Sequence, residues 1–320
     1  MSTNRSRLKL FLLCTPCFVL YVILLTLYTS KTNLKYKAID SKPDIELQYS
    51  NILDGCYHVY LDVGSNIGIQ IRKLFEPSKY PEAKILPLFD MFFGDEDIRN
   101  RNININSGYV CAVGFEPNSN HATYLKQIES SYTKCGWRAT FLTNTGVSDH
   151  FGSTKFYSDG QIEKNEWGGG ILPPDVIKVA KGHFFNSTKS NYAVVNLVRL
   201  SDFLKLAVGK RKIPTDLSGS SELPPKVVIK IDIEGSEVDV IPDLLFSGGL
   251  EYVDALLVEW HAFLHLSPER KEAIATLETI INLMSNYSRV MKTKGGKYDF
   301  ELFNIDDETF GKSKFELPIC

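Results

Sequence analysis

His58-Val-Tyr-Leu-Asp-Val63, running into Gly64-Ser-Asn-Ile-Gly68, is the stretch on which the fold turns. A short run of β-branched and aromatic residues reads as a buried strand, and the two glycines lead it into a helix expected from Ile69 through Phe75. Such a handover places backbone N–H groups and a helix N-terminus at the C-terminal edge of a sheet, where ligands bind. Asn66 stands where a dinucleotide-binding loop carries its middle glycine, and its side chain hinders the approach of a pyrophosphate. That disfavours a nicotinamide-dependent oxidoreductase and favours a ligand without phosphates.

Working outward, strand-like runs alternate with helical ones. Further strands are expected at Val110–Glu116, Ala139–Leu142, Val227–Asp232 and Ala255–Glu259, then around Tyr287–Thr293 and Phe300–Asn304; helices are expected at Ala122–Tyr132 and Pro268–Met284. The alternation predicts an α/β fold, a mostly parallel seven-stranded sheet with helices on both faces. With 43% apolar residues the chain has the means to build that core. Three long connections interrupt the pattern, Tyr80–Ser107, Gly160–Tyr192 and Gly209–Pro225, and such segments serve as lids, binding loops or surface. Trp167-Gly-Gly-Gly170 is either a lid or a plain surface loop.

Several side chains at the expected strand ends carry chemistry. Glu116 closes the second strand, where a carboxylate accepts hydrogen bonds from ribose hydroxyls or simply ends the strand in a turn with Pro117 and Asn118. Asp62 and the exposed amides of the Gly64–Gly68 loop are the groups that the amino-acid end of S-adenosylmethionine needs. In the fourth strand Lys230, Asp232 and Glu234 alternate with isoleucines, so one face of an apolar strand bears three charges. These form a compensated network, or Asp232 and Glu234 reach a pocket beyond it. Group transfer to a hydroxyl oxygen would require a side chain that removes the acceptor's proton, and Asp232, Glu234, Glu259 and His261 all follow strands at that edge. An unperturbed imidazole at His261 suits general-base work, although a lone histidine there also serves structure. The same carboxylates suit a magnesium or calcium ion, but no spacing demands a metal. Glu237 complements the N-terminal dipole of the next helix.

Taken in order, Leu61-Asp-Val-Gly-Ser-Asn-Ile-Gly68, Gly114-Phe-Glu-Pro-Asn118, Val147-Ser-Asp149 with Gly152, and Lys230-Ile-Asp-Ile-Glu-Gly-Ser-Glu237 resemble the motifs of the FkbM methyltransferases. The resemblance spans roughly Tyr57 to Asn304. It implies a Rossmann-like class I fold, S-adenosylmethionine as donor and transfer to a hydroxyl of a sugar or natural product. It also implies that Asp62, Gly64 and Gly68 surround the methionine part, that Glu116 meets the ribose, and that Ser148 and Asp149 lie near the adenine; Asn66, in the same loop, is a further candidate for cofactor binding. A chain that kept the fold as a non-catalytic, membrane-tethered binding or scaffold module is the alternative.

The N-terminal part bears on location. Leu10–Tyr28 has no charged side chain and is long enough to span a bilayer. We expect residues 1–9 as a cytosolic tail, 10–29 as a signal-anchor, 30–50 as a stem and 51–320 as the methyltransferase domain. Basic residues flank the span on both sides, so charge orients it weakly. Glycosylation sequons at Asn186 and Asn286 favour a lumenal domain in the Golgi or endoplasmic reticulum. Cys14 and Cys17 fall in the span. Cys56, Cys111, Cys135 and Cys320 are left for the lumen, with either one disulfide among the first three, each expected just before a strand, or free buried thiols. A net charge of −2 gives no reason to expect nucleic acid as partner; the expected acceptor bears a hydroxyl and is a carbohydrate by location.

Overall fold

The computed structural model describes residues 49–104, 107–158, 166, 168–173, 192–214, 224–293, 300–307, 309 and 316–319. Its strands are β1 Cys56–Val63, β2 Asn102–Asn104, β3 Ser107–Glu116, β4 Arg138–Thr143, β5 Thr145–Ser148, β6 Gly152–Tyr157, β7 Tyr192–Arg199, β8 Val227–Ile231, β9 Ala255–Val258 and β10 Glu301–Asn304. The helices are α1 Ile69–Phe75, α2 Leu86–Phe93, α3 Glu96–Arg99, α4 Ala122–Cys135, α5 Leu200–Phe203, α6 Glu237–Phe246 and α7 Pro268–Thr293.

The main sheet has seven strands. β10, β9, β8, β1, β3 and β4 lie side by side in that order and are all parallel, while the short β2 runs antiparallel on the β4 side of β3. Ranked along the chain, the parallel strands follow the doubly wound order in which the winding reverses beside the first strand, here between β1 and β8. Register brings three strand ends to one level, with Val63 paired to Phe115 on one side and to Ile231 on the other.

Burial explains both the strands and their cover. Every residue of β1, β8 and β9 is buried, as expected of parallel strands covered on both faces. Tyr60, Ala112, Val228 and Leu257 pack under α1, α2 and α4 through Ile71, Leu74, Phe89, Leu125 and Ile128. Strand residues of the opposite parity meet α5, where the Phe115 and Phe203 rings stand edge to face at 5.1 Å.

Four features depart from the expected elements. A second, three-stranded sheet, β5-β7-β6, follows the main one, with β5 parallel and β6 antiparallel to β7. The strand expected at Tyr287–Thr293 is instead the end of α7. There Ser285 and Ser288, one helical turn apart on one face, accept the backbone N–H groups of Leu302 and Phe300 through their hydroxyls, at 2.9 and 2.7 Å. Within the connection expected between Tyr80 and Ser107, residues 80–101 are packed structure: Phe89 sits edge-on to Tyr60 at 5.1 Å, and buried Arg99 donates to the carbonyls of Leu74 and Gly94. Of the cysteines, Cys56 and Cys111 lie within the paired β1 and β3, and Cys135 closes α4. Cys56 is bonded to Cys111, and Cys135 is disulfide-bonded as well.

Leu10–Tyr28, Asn186 and Trp167 lie outside the described residues. Among the described residues no helix is long and apolar enough to cross a membrane.

Candidate active site

A crevice opens over the switch between β1 and β8, enclosing about 970 Å³ of atom-free space, part of it continuous with solvent. Gly64, Ser65 and Asn66 from the first loop, Phe115 and Glu116 from the end of β3, and Asp232, Ile233 and Glu234 beyond β8 form its walls. Val147, Phe156 and Ile171 add an apolar side.

The glycine loop is built to bring backbones together. Gly64 has φ +92, and a Cβ there would lie 1.8 Å from the Asp232 carbonyl oxygen, so only glycine fits between the two loops. Gly68 opens α1 at φ +79, against the side chains of Leu125 and Phe141. Asn66 takes a left-handed conformation, φ 48, which asparagine tolerates, and its side-chain oxygen accepts the Ile67 N–H. Glu116 clamps this loop to the next: one carboxylate oxygen accepts the Asn66 N–H at 2.6 Å and the other the Asn118 N–H at 2.7 Å. Each oxygen has a further lone pair, and the side chain still lines the crevice.

Charge gathers at the other end. Lys230, 1% exposed, donates to Asp232 at 2.6 Å and is the register partner of Asp62. Burial alone would raise the Asp232 carboxyl, yet Lys230 and His261 hold it below its ordinary value. Burial pushes Asp62 up to about 7, with Lys230 pulling the other way; among the described residues neither of its carboxylate oxygens has a hydrogen-bond partner. Glu234 is pushed up to about 8 by burial and by neighbouring carboxylates, against the pull of His261. Its backbone is left-handed, φ 52, a conformation that glutamate rarely holds and that costs of order 1–3 kcal/mol.

His261 is buried in a ring of acids. Its Nδ1 lies 2.9 Å from Glu237, and its Nε2 faces Glu259, Asp232 and Glu234 at 3.6, 3.8 and 3.9 Å. Burial opposes the charged ring, but the bond to Glu237 and the nearby Glu259 carboxylate prevail and push it up to about 12. The unperturbed imidazole on which its role as a base rests is therefore not what this setting provides. Glu237 does more than answer a helix dipole: wholly buried, it also accepts the N–H groups of Ile233 and Gly235 at 3.3 Å each, tying the turn after β8 to the histidine.

Of the residues singled out from the sequence, Gly64, Asn66, Glu116, Asp232 and Glu234 line the crevice together. Asp62, Gly68 and His261 stand behind its wall, and Ser148 and Asp149 lie just past the lining pair Gly146 and Val147. Ser148 donates to Asp149 at 3.1 Å. Gly169 and Gly170 also line the crevice, and Gly170 is fastened to Tyr157 by two backbone bonds of 2.8 and 3.0 Å. Glu166 was not legible in advance. It enters the wall beside them, held by Asn118 and Asn120 at 2.7 and 2.8 Å and by the Ser158 hydroxyl, and no local motif marks it.

A doubly wound sheet whose switch-point crevice has a glycine loop on one side and an acid closing the neighbouring strand defines a Rossmann-like enzyme of the cofactor-binding kind. The family model described as the methyltransferase FkbM domain matches residues 62–277, and the chain belongs to that family of methyltransferases. No curated protein and no solved structure matches the chain.

Proposed function

We propose that this methyltransferase takes its methyl group from S-adenosylmethionine and delivers it to a hydroxyl oxygen of a carbohydrate or similar acceptor in the secretory lumen. The observation that carries the reading is the clamp between Asn66 and Glu116, which holds the glycine-bounded loop and a ribose-competent carboxylate on one crevice. In it, the backbone of Gly64 to Asn66 receives the amino-acid end of the donor, Glu116 accepts from the ribose hydroxyls, and Val147, Phe156 and Ile171 shield the base. Ser148, the last residue of β5, and Asp149 beyond it are not among the lining residues, and we assign them to the rim.

Bound there, the donor supplies an electrophilic methyl carbon. The chain must then hold the acceptor oxygen in line and take its proton as the new bond forms. Asp232 and Glu234 both line the crevice, and Glu234, raised toward neutrality, is the better matched proton acceptor. Asp232, fixed by Lys230, orients the hydroxyl.

The lumenal setting is supported by disulfide bonding at Cys56, Cys111 and Cys135, since disulfides persist in oxidising compartments. Asn286, in the second sequon, is exposed on α7. We retain the single anchor at residues 10–29 as part of the proposal.

The test is product chemistry. Glycans from cells with and without the gene are permethylated with deuterated reagent and compared by mass spectrometry. Natural O-methyl groups present only with the gene support the reading; identical methylation in both, with methyl found on nitrogen of another acceptor, overturns its oxygen and carbohydrate parts.

A further inference from the structure

We infer that Asp232, Glu234 and His261 form a binding site for a single divalent transition-metal ion at the acceptor end of the crevice. One donor atom from each of these side chains lies within 4.8 Å of the others. The His261 Nε2 to carboxylate distances of 3.6, 3.8 and 3.9 Å, with Glu259 the nearest, are too long for hydrogen bonds. They suit donors to one ion instead. With metal–ligand bonds of about 2.1 Å, neighbouring donors stand about 3.0–3.5 Å apart, so the two histidine distances must close by about 0.3–0.9 Å and any pair as wide as 4.8 Å by about 1.3 Å or more.

A second observation points the same way from the far side of the ring. His261, 4% exposed, has its Nδ1 fixed by Glu237, which is itself wholly buried and anchored by two backbone N–H groups. A carboxylate that holds one imidazole nitrogen and aims the other at a cluster of oxygen ligands is the arrangement that orients metal-binding histidines. The aimed Nε2 makes no hydrogen bond among the described residues.

Charge balance adds a reason. Four acidic side chains, Asp232, Glu234, Glu237 and Glu259, surround the ring, and among the described residues Lys230 is the one lysine or arginine paired with any of them. Without an ion, protonated His261 is the second cation facing these acids; a dication at the shared point takes over that role as Nε2 gives up its proton. Imidazole among carboxylates selects manganese, iron or zinc over magnesium and calcium, which the carboxylates alone would suit.

Asp232 and Glu234 both line the crevice, so the ion would meet the acceptor hydroxyl directly, fixing its orientation and making its proton easier to lose. That consequence rests on the proposed oxygen-directed transfer; the site itself does not. With the ion in place, Glu234 is a ligand rather than the proton acceptor.

The experiment uses the full-length chain in detergent, stripped with a chelator, dialysed and titrated with manganese chloride while free Mn²⁺ is followed by electron paramagnetic resonance. One ion per chain is expected, displaced by zinc, with affinity falling at least tenfold in Glu234→Gln and His261→Ala and unchanged in Glu251→Gln, an exposed acid elsewhere. Circular dichroism of each variant checks that it folds, and Glu234→Gln keeps the size of the side chain if His261→Ala does not fold. No stoichiometric binding, or equal binding in folded Glu234→Gln, overturns the site and leaves adventitious ions only. Binding of S-adenosylhomocysteine is measured on the same metal-free sample, so failure of the ion and failure of the donor site are seen separately.

Discussion

Replacing Glu116 by glutamine separates two roles that the structure superimposes on one carboxylate. The buried oxygens accept from Asn66 and Asn118 at 2.6 and 2.7 Å. Hydrogen bonds to a charged group contribute about 1.5–3 kcal/mol each. Glutamine keeps one acceptor but turns an NH₂ group toward the other backbone N–H, donor facing donor, so one bond is lost and the survivor is no longer charge-assisted. The unliganded protein should lose about 2–4 kcal/mol, read as a lower urea midpoint at unchanged m-value. If the same carboxylate meets the ribose, affinity for S-adenosylhomocysteine by calorimetry should fall a further ten- to a hundredfold, roughly 1.5–3 kcal/mol. Lost stability with intact affinity would make Glu116 a loop brace and remove it from the donor site. No change in either would refute the reasoning, since the loop would then hold itself.

Three further outcomes follow from other contacts. Gly64→Ala puts a Cβ 1.8 Å from the Asp232 carbonyl at φ +92, and should cost about 3 kcal/mol or more and abolish donor binding; near-native thermal unfolding would show that the loops part easily. The Cys56–Cys111 bond closes a separation of 55 residues, so the double serine variant should be less stable by about 4 kcal/mol in urea unfolding, and a loss below about 1 would mean that sheet packing alone fixes β1 to β3. His58 accepts the Lys226 N–H at Nδ1 and is lowered to about 3 by burial, with Arg211 and Lys226 adding to the effect. Because its folded value lies below the unfolded one of about 6.5, the unfolded chain binds the proton first, and stability is full above that pH and falls as pH drops toward 3. The loss should be about 1.4 kcal/mol per pH unit, and His58→Leu should flatten that part of the profile; an unchanged slope would place the acid sensitivity elsewhere.

Much of the main sheet is legible in the sequence because fully buried parallel strands must be nearly continuous apolar runs, as β9 is and as β1 and β8 are but for His58, Asp62 and Lys230. Strand β6, Gly152-Ser-Thr-Lys-Phe-Tyr157, carries no such signal: it is mostly solvent-facing, and its pairing with β7 decides its conformation. The β-branched and aromatic residues after Met284 suggest a strand, yet the spacing of Ser285 and Ser288 fits a helix whose hydroxyls catch β10. At the site, glycines and strand-end acids are readable since loop geometry and position dictate them. Contacts between distant segments are not. Nothing near Glu237 announces His261, and nothing near Glu166 announces Asn118 and Asn120; only the folded chain brings them together.

The most direct test of the donor site is isothermal titration of the full-length protein with S-adenosylhomocysteine, followed by competition with S-adenosylmethionine and with a nicotinamide dinucleotide. One equivalent bound, displaced by S-adenosylmethionine and indifferent to the dinucleotide, is the expected result. Absence of binding to either adenosyl compound, with the dinucleotide bound in their place, would contradict it.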